Sequence, residues 1–135
     1  MGSELKDKKK LGLKRLMFSF RYASQGILYA IKNEPNMKIH MIMMILVIVA
    51  GILFQINVIE WLICFLLFGL VIGSELINTS IETLVDLVCK DHNMIAKTAK
   101  DTAAGAVMVF AFFSFLAGII IFFPKLFVFI ERVLS

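Results

Sequence analysis

Cysteine and proline are scarce in this chain of 135 residues, which has two of each. Cys64 and Cys89 lie far apart without a CxxC spacing, and neither His40 nor His92 has a second histidine or cysteine at a ligand-like spacing. Zinc sites need such residues in groups with short, regular spacings. The sequence therefore predicts two free thiols and argues against a zinc site.

The common nucleotide-binding motifs are also missing. The chain has no GxxxxGKS or GxxxxGKT loop, no GxGxxG turn, and neither the HRD nor the DFG triplet of protein kinases. These absences exclude a soluble-type kinase fold. Any phosphoryl transfer would depend on carboxylate-bound Mg²⁺ and scattered basic residues, since this ion is usually held by one or two carboxylates together with substrate phosphates.

Charged residues make up only 18% of the chain, whereas 60% of the residues are hydrophobic and the mean hydropathy is +0.90. This is too apolar for an ordinary soluble domain and indicates an integral membrane protein. Three apolar segments are long enough to be candidate membrane helices. They cover residues 39–55, 58–88 and 100–123.

The sequence predicts a single domain of residues 1–135. The segment before the spans is expected to have two parts. Residues 1–12 are expected to form a flexible basic tail. In residues 13–37, apolar side chains recur at helical spacing from Leu13 to Ala23, with basic residues elsewhere around the helix. This pattern is typical of an amphipathic helix lying on a membrane surface. The predicted fold is therefore all-α, with one surface helix and three transmembrane helices.

Basic residues predict the orientation in the membrane. Nine of the fourteen lysines and arginines precede the first span: Lys6, Lys8, Lys9, Lys10, Lys14, Arg15, Arg21, Lys32 and Lys38. We expect the protein to lie in the plasma membrane. The positive-inside rule then places the N-terminus in the cytoplasm, and three spans leave the C-terminus outside the cell. The net charge of +4 suits anionic lipid headgroups, and the sequence contains no nucleic-acid-binding module.

An acidic face follows the second apolar run, in the string GSELINTSIETLVD. Glu75, Asn78, Thr79, Glu82 and Asp86 have spacings that place them on one side of a helix. Carboxylates near a membrane are costly unless they are paired, hydrated or bound to a cation, so they indicate a functional site on the cytoplasmic side. One acid could accept a proton from a hydroxyl while another holds a divalent cation, and Lys100 could offset phosphoryl charge.

Structural alternatives remain open for these residues. Glu75, Asn78 and Glu82 could form a polar network between helices that holds subunits together. Asp86 could be a helix cap or an ion-pair residue, or it could contact ATP directly. Lys100 and Asp101 could anchor the third span at the membrane surface.

The string ELINTSIETLVD, from Glu75 to Asp86, closely resembles the signature of the prokaryotic membrane diacylglycerol kinase family, whose Gram-positive members include undecaprenol kinases. The pair Asn33-Glu34 and the stretch Ala99-Lys100-Asp101 also match the family pattern, and the resemblance extends from about Lys14 to Pro124. It implies a homotrimeric helical bundle with each active site formed between subunits.

The resemblance also implies a role for each site residue. Glu75 would be the general base, Glu34 and Glu82 would hold Mg²⁺, and Asn33 and Asn78 would position the substrate together with Glu75. The implied ATP-binding residues are Arg15, Tyr22, Glu34, Glu82, Asp91, His92, Asn93, Lys100 and Asp101.

The implied reaction is the ATP-dependent phosphorylation of a lipid alcohol. Leu28 and His40 stand where some diacylglycerol-phosphorylating members carry an arginine and a glutamate, which favours undecaprenol as the acceptor and undecaprenyl phosphate as the product. Diacylglycerol, giving phosphatidic acid, is the alternative. A small proton- or cation-coupled transporter using Glu75 and Glu82 is a remote alternative, and a non-catalytic membrane scaffold is another.

Overall fold

The computed structural model describes the backbone of residues 2–134 and the side chains of residue 12 and residues 14–131. Residues up to Asn33 form one compact unit, and residues from Glu34 onward form a second unit. The predicted all-helical class is confirmed. The described helices are α1 (Gly2–Asn33), α2 (Pro35–Leu53), α3 (Val58–Val88) and α4 (Met94–Leu134).

Proline sets the boundary between α1 and α2. The predicted surface helix of residues 13–37 ends earlier, at Asn33, because Pro35 disfavours the helical conformation at the residue before it. Glu34 accordingly has extended backbone angles, φ −94° and ψ 118°, and Pro35 opens α2. The first apolar helix is therefore Pro35–Leu53 rather than 39–55. At the other end, the backbone of α1 begins at Gly2 and includes residues predicted as a tail.

The last helix is longer than the predicted span of residues 100–123. It begins at Met94, directly after an Asn93 cap, and it continues through Pro124 instead of ending there. Proline removes one backbone hydrogen bond, but an apolar membrane helix tolerates this loss where neighbouring groups compensate.

Three of the helices are long and apolar enough to cross a membrane: Pro35–Leu53, Val58–Val88 and the segment Met94–Glu131 of α4. Most of their large apolar side chains are exposed on the single chain. In the second unit, α3 packs against both α2 and α4. Since α3 carries the acidic face, this packing determines which side chains surround that face.

The turn between α2 and α3 is a compact helix end. The Ile56 amide donates to the carbonyl of Gly51 at 3.1 Å, and the Gln55 amide donates to Ile52 at 3.3 Å. These bonds form a Schellman motif, in which the residue after the cap adopts left-handed angles. Gln55 has φ 51°, so a side chain occupies a position that usually favours glycine.

The beginning of α3 is capped and tied to α4. Asn57 and Glu60 form a reciprocal capping box, with bonds of 2.7 and 3.0 Å between backbone amides and side-chain oxygens. Glu60 Oε2 also lies 3.0 Å from the Lys125 ammonium on α4. A core around Ile56, Cys64 and Ile121 packs beside this junction. The end of the three-helix unit at the α2–α3 turn is therefore held by a cap, an ion pair and apolar packing.

Gly51 is buried against Trp61, and we predict that alanine at this position destabilises the fold. A Cβ atom on Gly51 would lie 2.7 Å from Trp61 Cη2 and 2.9 Å from Cζ2, so the ring would have to move. We expect Gly51→Ala to lower the free energy of unfolding by about 1–3 kcal/mol, the usual cost of overpacking. Thermal unfolding in detergent checks this expectation.

The matched control is Gly69→Ala on α3, where an added Cβ meets no atom within 4 Å among the described residues. Gly69→Ala has the same gain in helix propensity as Gly51→Ala, but without a clash with Trp61. Equal melting temperatures for the two variants would contradict the proposed packing at Gly51.

Candidate functional site

The predicted acidic face lies on α3, and its burial changes along the helix. Glu75, Asn78 and Thr79 are 1%, 4% and 5% exposed. Glu82, one turn further, is half-buried, and Asp86 is exposed. The side chains therefore run from the interior of the three-helix unit towards solvent, and Glu75 is at the buried end.

Two polar atoms on this face have no hydrogen-bond partner among the described residues: Glu75 Oε2 and Asn78 Oδ1. The amide nitrogen of Asn78 donates to Glu82 Oε1 at 3.2 Å, while the Thr79 hydroxyl donates to the Glu75 carbonyl at 2.9 Å. An isolated buried carboxylate oxygen is costly. The arrangement is therefore suited to a group that brings a proton or positive charge to Glu75.

Glu34 joins this face from the start of α2. Its carboxylate makes no capping hydrogen bond to α2, and both Glu34 and Glu82 lie close enough to Glu75 to interact with it electrostatically. Three carboxylates predicted as site residues are thus brought together from two helices. Their mutual repulsion favours a bound cation.

These carboxylates determine which metal ion the site could bind. Among the described residues, no three histidine, cysteine, aspartate or glutamate side chains form a complete metal-binding group. A structural zinc centre of three or four protein ligands is therefore not present in this part of the chain. Two carboxylates such as Glu34 and Glu82 would suit Mg²⁺, which takes its remaining ligands from water and substrate phosphates.

A basic group reaches the same face from α4. The Lys100 ammonium lies 2.9 Å from Asp86 Oδ1 and 3.1 Å from Oδ2, and Glu82 is also close enough to attract it. Sequence spacing left open whether Asp86 is a cap, an ion-pair residue or an ATP contact, and in the structure it forms an ion pair with Lys100. Asp101 is exposed on the next position of α4.

The loop between α3 and α4 carries the next group of predicted residues. Asp91, His92 and Asn93 are exposed. Asn93 Oδ1 accepts hydrogen bonds from the amides of Ile95 and Ala96, at 2.8 and 3.3 Å, and so caps α4. The asparagine therefore has a structural role that sequence analysis did not predict. An asparagine directly before a run of helix-forming residues is the signal that could have indicated it.

The predicted residues of α1 belong to the other compact unit. Asn33 donates its side-chain amide to the carbonyl of Tyr29 at 2.8 Å, so this group is used within α1. Tyr22 is exposed, and its ring stacks on Phe18 with centroids 6.5 Å apart. Arg15 is also exposed on this helix.

An apolar cavity of about 590 Å³ lies among α2, α3 and α4. Its lining reaches Val71, one helical turn before Glu75 on the same side of α3, and extends through Phe68 to Cys64. Apart from that thiol, polar side chains enter the lining at His40 and Ser114. The apolar cavity therefore begins one helical turn from the acidic face, on the same side of α3.

Comparison with known proteins identifies the family. The family model for prokaryotic diacylglycerol kinase matches residues 21–122. The chain belongs to this family. Together with its three apolar helices, membership makes it a membrane protein and places it among lipid kinases.

Individual relatives give the same result. The chain is 45% identical to the undecaprenol kinase of Bacillus subtilis, over 84% of this chain and 93% of that protein. It is 38% identical to a diacylglycerol kinase of Synechocystis, over 82% of this chain and 64% of the relative. A diacylglycerol kinase of Helicobacter pylori is 32% identical, over 79% of this chain and 84% of the relative. The predicted resemblance is thus confirmed.

The capping role of Asn93 gives a test at the loop. We expect Asn93→Ala to lower the free energy of unfolding by about 1 kcal/mol, because two amides at the start of α4 lose their acceptor. Asn93→Ser should retain most of the stability, since serine is also a good cap. Thermal unfolding of both variants measures the difference, and an Asn93→Ala variant as stable as the parent protein would show that the cap contributes little.

Proposed function

We propose that this family member transfers the γ-phosphate of ATP to the hydroxyl of undecaprenol and so produces undecaprenyl phosphate and ADP. The observation that carries the proposal is Glu75, a buried carboxylate with an unbonded oxygen, placed one helical turn from an apolar cavity. A base in this position can reach the hydroxyl end of a lipid whose hydrocarbon part stays in an apolar environment. The similarity to an undecaprenol kinase over most of the chain supports the choice of acceptor.

Glu75 acts in this reaction as the general base. Its carboxylate accepts the proton of the lipid hydroxyl while the hydroxyl oxygen attacks the γ-phosphorus, and the bond from this phosphorus to ADP breaks. Asn78 lies one turn from Glu75 and donates its amide nitrogen to Glu82. Its carbonyl oxygen, unbonded among the described residues, is therefore available to accept a hydrogen bond from a donor of the substrate or from water, and we propose Asn78 as a substrate-positioning residue. Asn33 is proposed as a further substrate-positioning residue.

Glu34 and Glu82 are proposed to hold Mg²⁺. When bound, this ion would neutralise negative charge on the phosphates. Glu34, directly before α2, and Glu82 on α3 contribute negative charge beside Glu75, and two carboxylates are a usual protein contribution to an Mg²⁺ site.

The remaining ATP-binding residues are proposed from the family pattern. Lys100 and Asp101 on α4 would contact the phosphates, and the exposed loop with Asp91, His92 and Asn93 would lie near the sugar or base. Arg15 and Tyr22 of α1 complete the proposed set. Lys100 has the strongest structural support, since its ammonium lies beside the acidic face.

We further propose the arrangement in the membrane. The N-terminus and the active site face the cytoplasm, the C-terminus lies outside, and α1 rests on the membrane surface as an amphipathic helix. Basic residues before the first span support this orientation. The exposed apolar side chains of the three long helices support contact with lipid and with other copies in a homotrimer.

Diacylglycerol is the alternative acceptor, because diacylglycerol kinases are also among the relatives. Both acceptors present a hydroxyl to the same base and a hydrocarbon part to the same cavity. Family membership supports kinase activity over the transporter and scaffold hypotheses.

The acceptor assay tests the proposal directly. Purified protein in lipid or detergent, with Mg²⁺ and ATP, should consume ATP faster with undecaprenol than with diacylglycerol and negligibly without an acceptor. Glu75→Gln should lower turnover by about 10²-fold or more, since general-base catalysis contributes about 10²–10⁴-fold. Comparable turnover with both lipids would overturn the acceptor ranking, and an active, well-folded Glu75→Gln variant would overturn the role of Glu75.

The cavity provides a second test. Gly118 lines the cavity, and a Cβ atom built there meets no atom within 4 Å among the described residues, so the backbone has room for a larger side chain at this point of the lining. We expect Gly118→Phe to raise the KM for undecaprenol while leaving the KM for ATP nearly unchanged. Ile120→Phe, at an exposed position of α4 outside the lining, is the matched control. Equal KM values for undecaprenol in the two variants would contradict binding of the hydrocarbon chain in the cavity.

A further inference from the structure

The ion pair between Asp86 and Lys100 joins two helices at the solvent end of the acidic face. One ammonium contacts both carboxylate oxygens, at 2.9 and 3.1 Å, although the residues are separated by the whole α3–α4 loop. Asp86 is near the end of α3, and Lys100 follows the first turn of α4. The pair therefore depends on the fold and not on local sequence.

Stability does not explain this pair. The Lys100 side chain is 34% exposed and the Asp86 side chain is 66% exposed. Exposed ion pairs contribute little to folding, because water screens them and two flexible side chains must be ordered. The helices are already positioned by their mutual packing and by the Asn93 cap.

Position gives the pair another role. Asn78, Glu82 and Asp86 follow one another at intervals of one helical turn, and Asn78 donates a hydrogen bond to Glu82. The Asp86 carboxylate therefore holds the ammonium of Lys100 next to the carboxylates of the site, at the end of the face that is open to solvent. A lysine ammonium has three donors, so contact with Asp86 leaves donor capacity for another oxygen.

We propose that Asp86 is a positioning residue, which holds the Lys100 ammonium ready to donate to the phosphate chain of ATP. The inference rests on the proposed kinase function. It adds Asp86 of α3 to the nucleotide site as the residue that orients Lys100 of α4. Lysine has a flexible four-carbon stem, so an ammonium that is already oriented loses less conformational freedom when the nucleotide binds.

A double-mutant cycle tests whether Asp86 acts through Lys100. Asp86→Asn, Lys100→Met and the double variant would be compared for kcat/KM with respect to ATP, and for equilibrium affinity of a fluorescent non-hydrolysable ATP analogue with Mg²⁺. We expect Asp86→Asn to lower kcat/KM and affinity by about five- to tenfold in the parent protein, and by less than about twofold when Lys100 is absent. Asp86→Glu should recover most of the loss, because it keeps the charge.

Glu131→Gln is the control, since it removes an exposed carboxylate from the distant end of α4 and should change neither quantity. An equal loss from Asp86→Asn with and without Lys100 would overturn the proposal and make Asp86 a direct ATP contact or a structural residue. No loss from Asp86→Asn would also overturn it. Absence of acceptor-dependent turnover in the parent protein would instead refute the proposed function, and the analogue-binding cycle would still decide the role of Asp86.

Discussion

The burial of one carboxylate, that of Glu75, is the constraint on which the rest of the site depends. Glu75 is 1% exposed and has an oxygen without a hydrogen-bond partner among the described residues, next to two further carboxylates. Such a group destabilises a fold unless a proton, a cation or a substrate compensates it. The unbonded oxygen is the reason for proposing that Glu75 takes part in the chemistry.

The helix that carries Glu75 connects the polar and apolar parts of the proposed reaction. Along one side of α3, Cys64, Phe68 and Val71 line the apolar cavity, and Glu75, Asn78 and Glu82 follow. A lipid alcohol has the same division, with a hydrocarbon part and a terminal hydroxyl. Packing of α3 against both α2 and α4 forms the cavity and brings Glu34 and Lys100 to the polar end. In the proposed reaction, one face of α3 would therefore position both substrates.

The acidic face could be predicted from sequence because it depends only on the period of a helix, and the burial of Glu75 and Asn78 agrees with that prediction. The contact between Asp86 and Lys100 could not, since it depends on how the α3–α4 loop returns the chain. The cavity also results from packing of three helices and has no local signal. Helix ends were partly predictable: Pro35 and Asn93 are recognisable start signals, whereas Pro124 does not end α4, because tertiary packing can override the local preference.

The central claim is a division of labour in which Glu75 takes the proton and Glu82 helps to bind Mg²⁺ with ATP. Equilibrium binding of ATP, measured with and without Mg²⁺ on Glu75→Gln and Glu82→Gln, tests this claim most directly. The account predicts that Glu75→Gln keeps the Mg²⁺-dependent ATP affinity of the parent protein, while Glu82→Gln loses most of its dependence on Mg²⁺. Equal loss of Mg²⁺-dependent binding in both variants would contradict it, because the two carboxylates would then serve one common role.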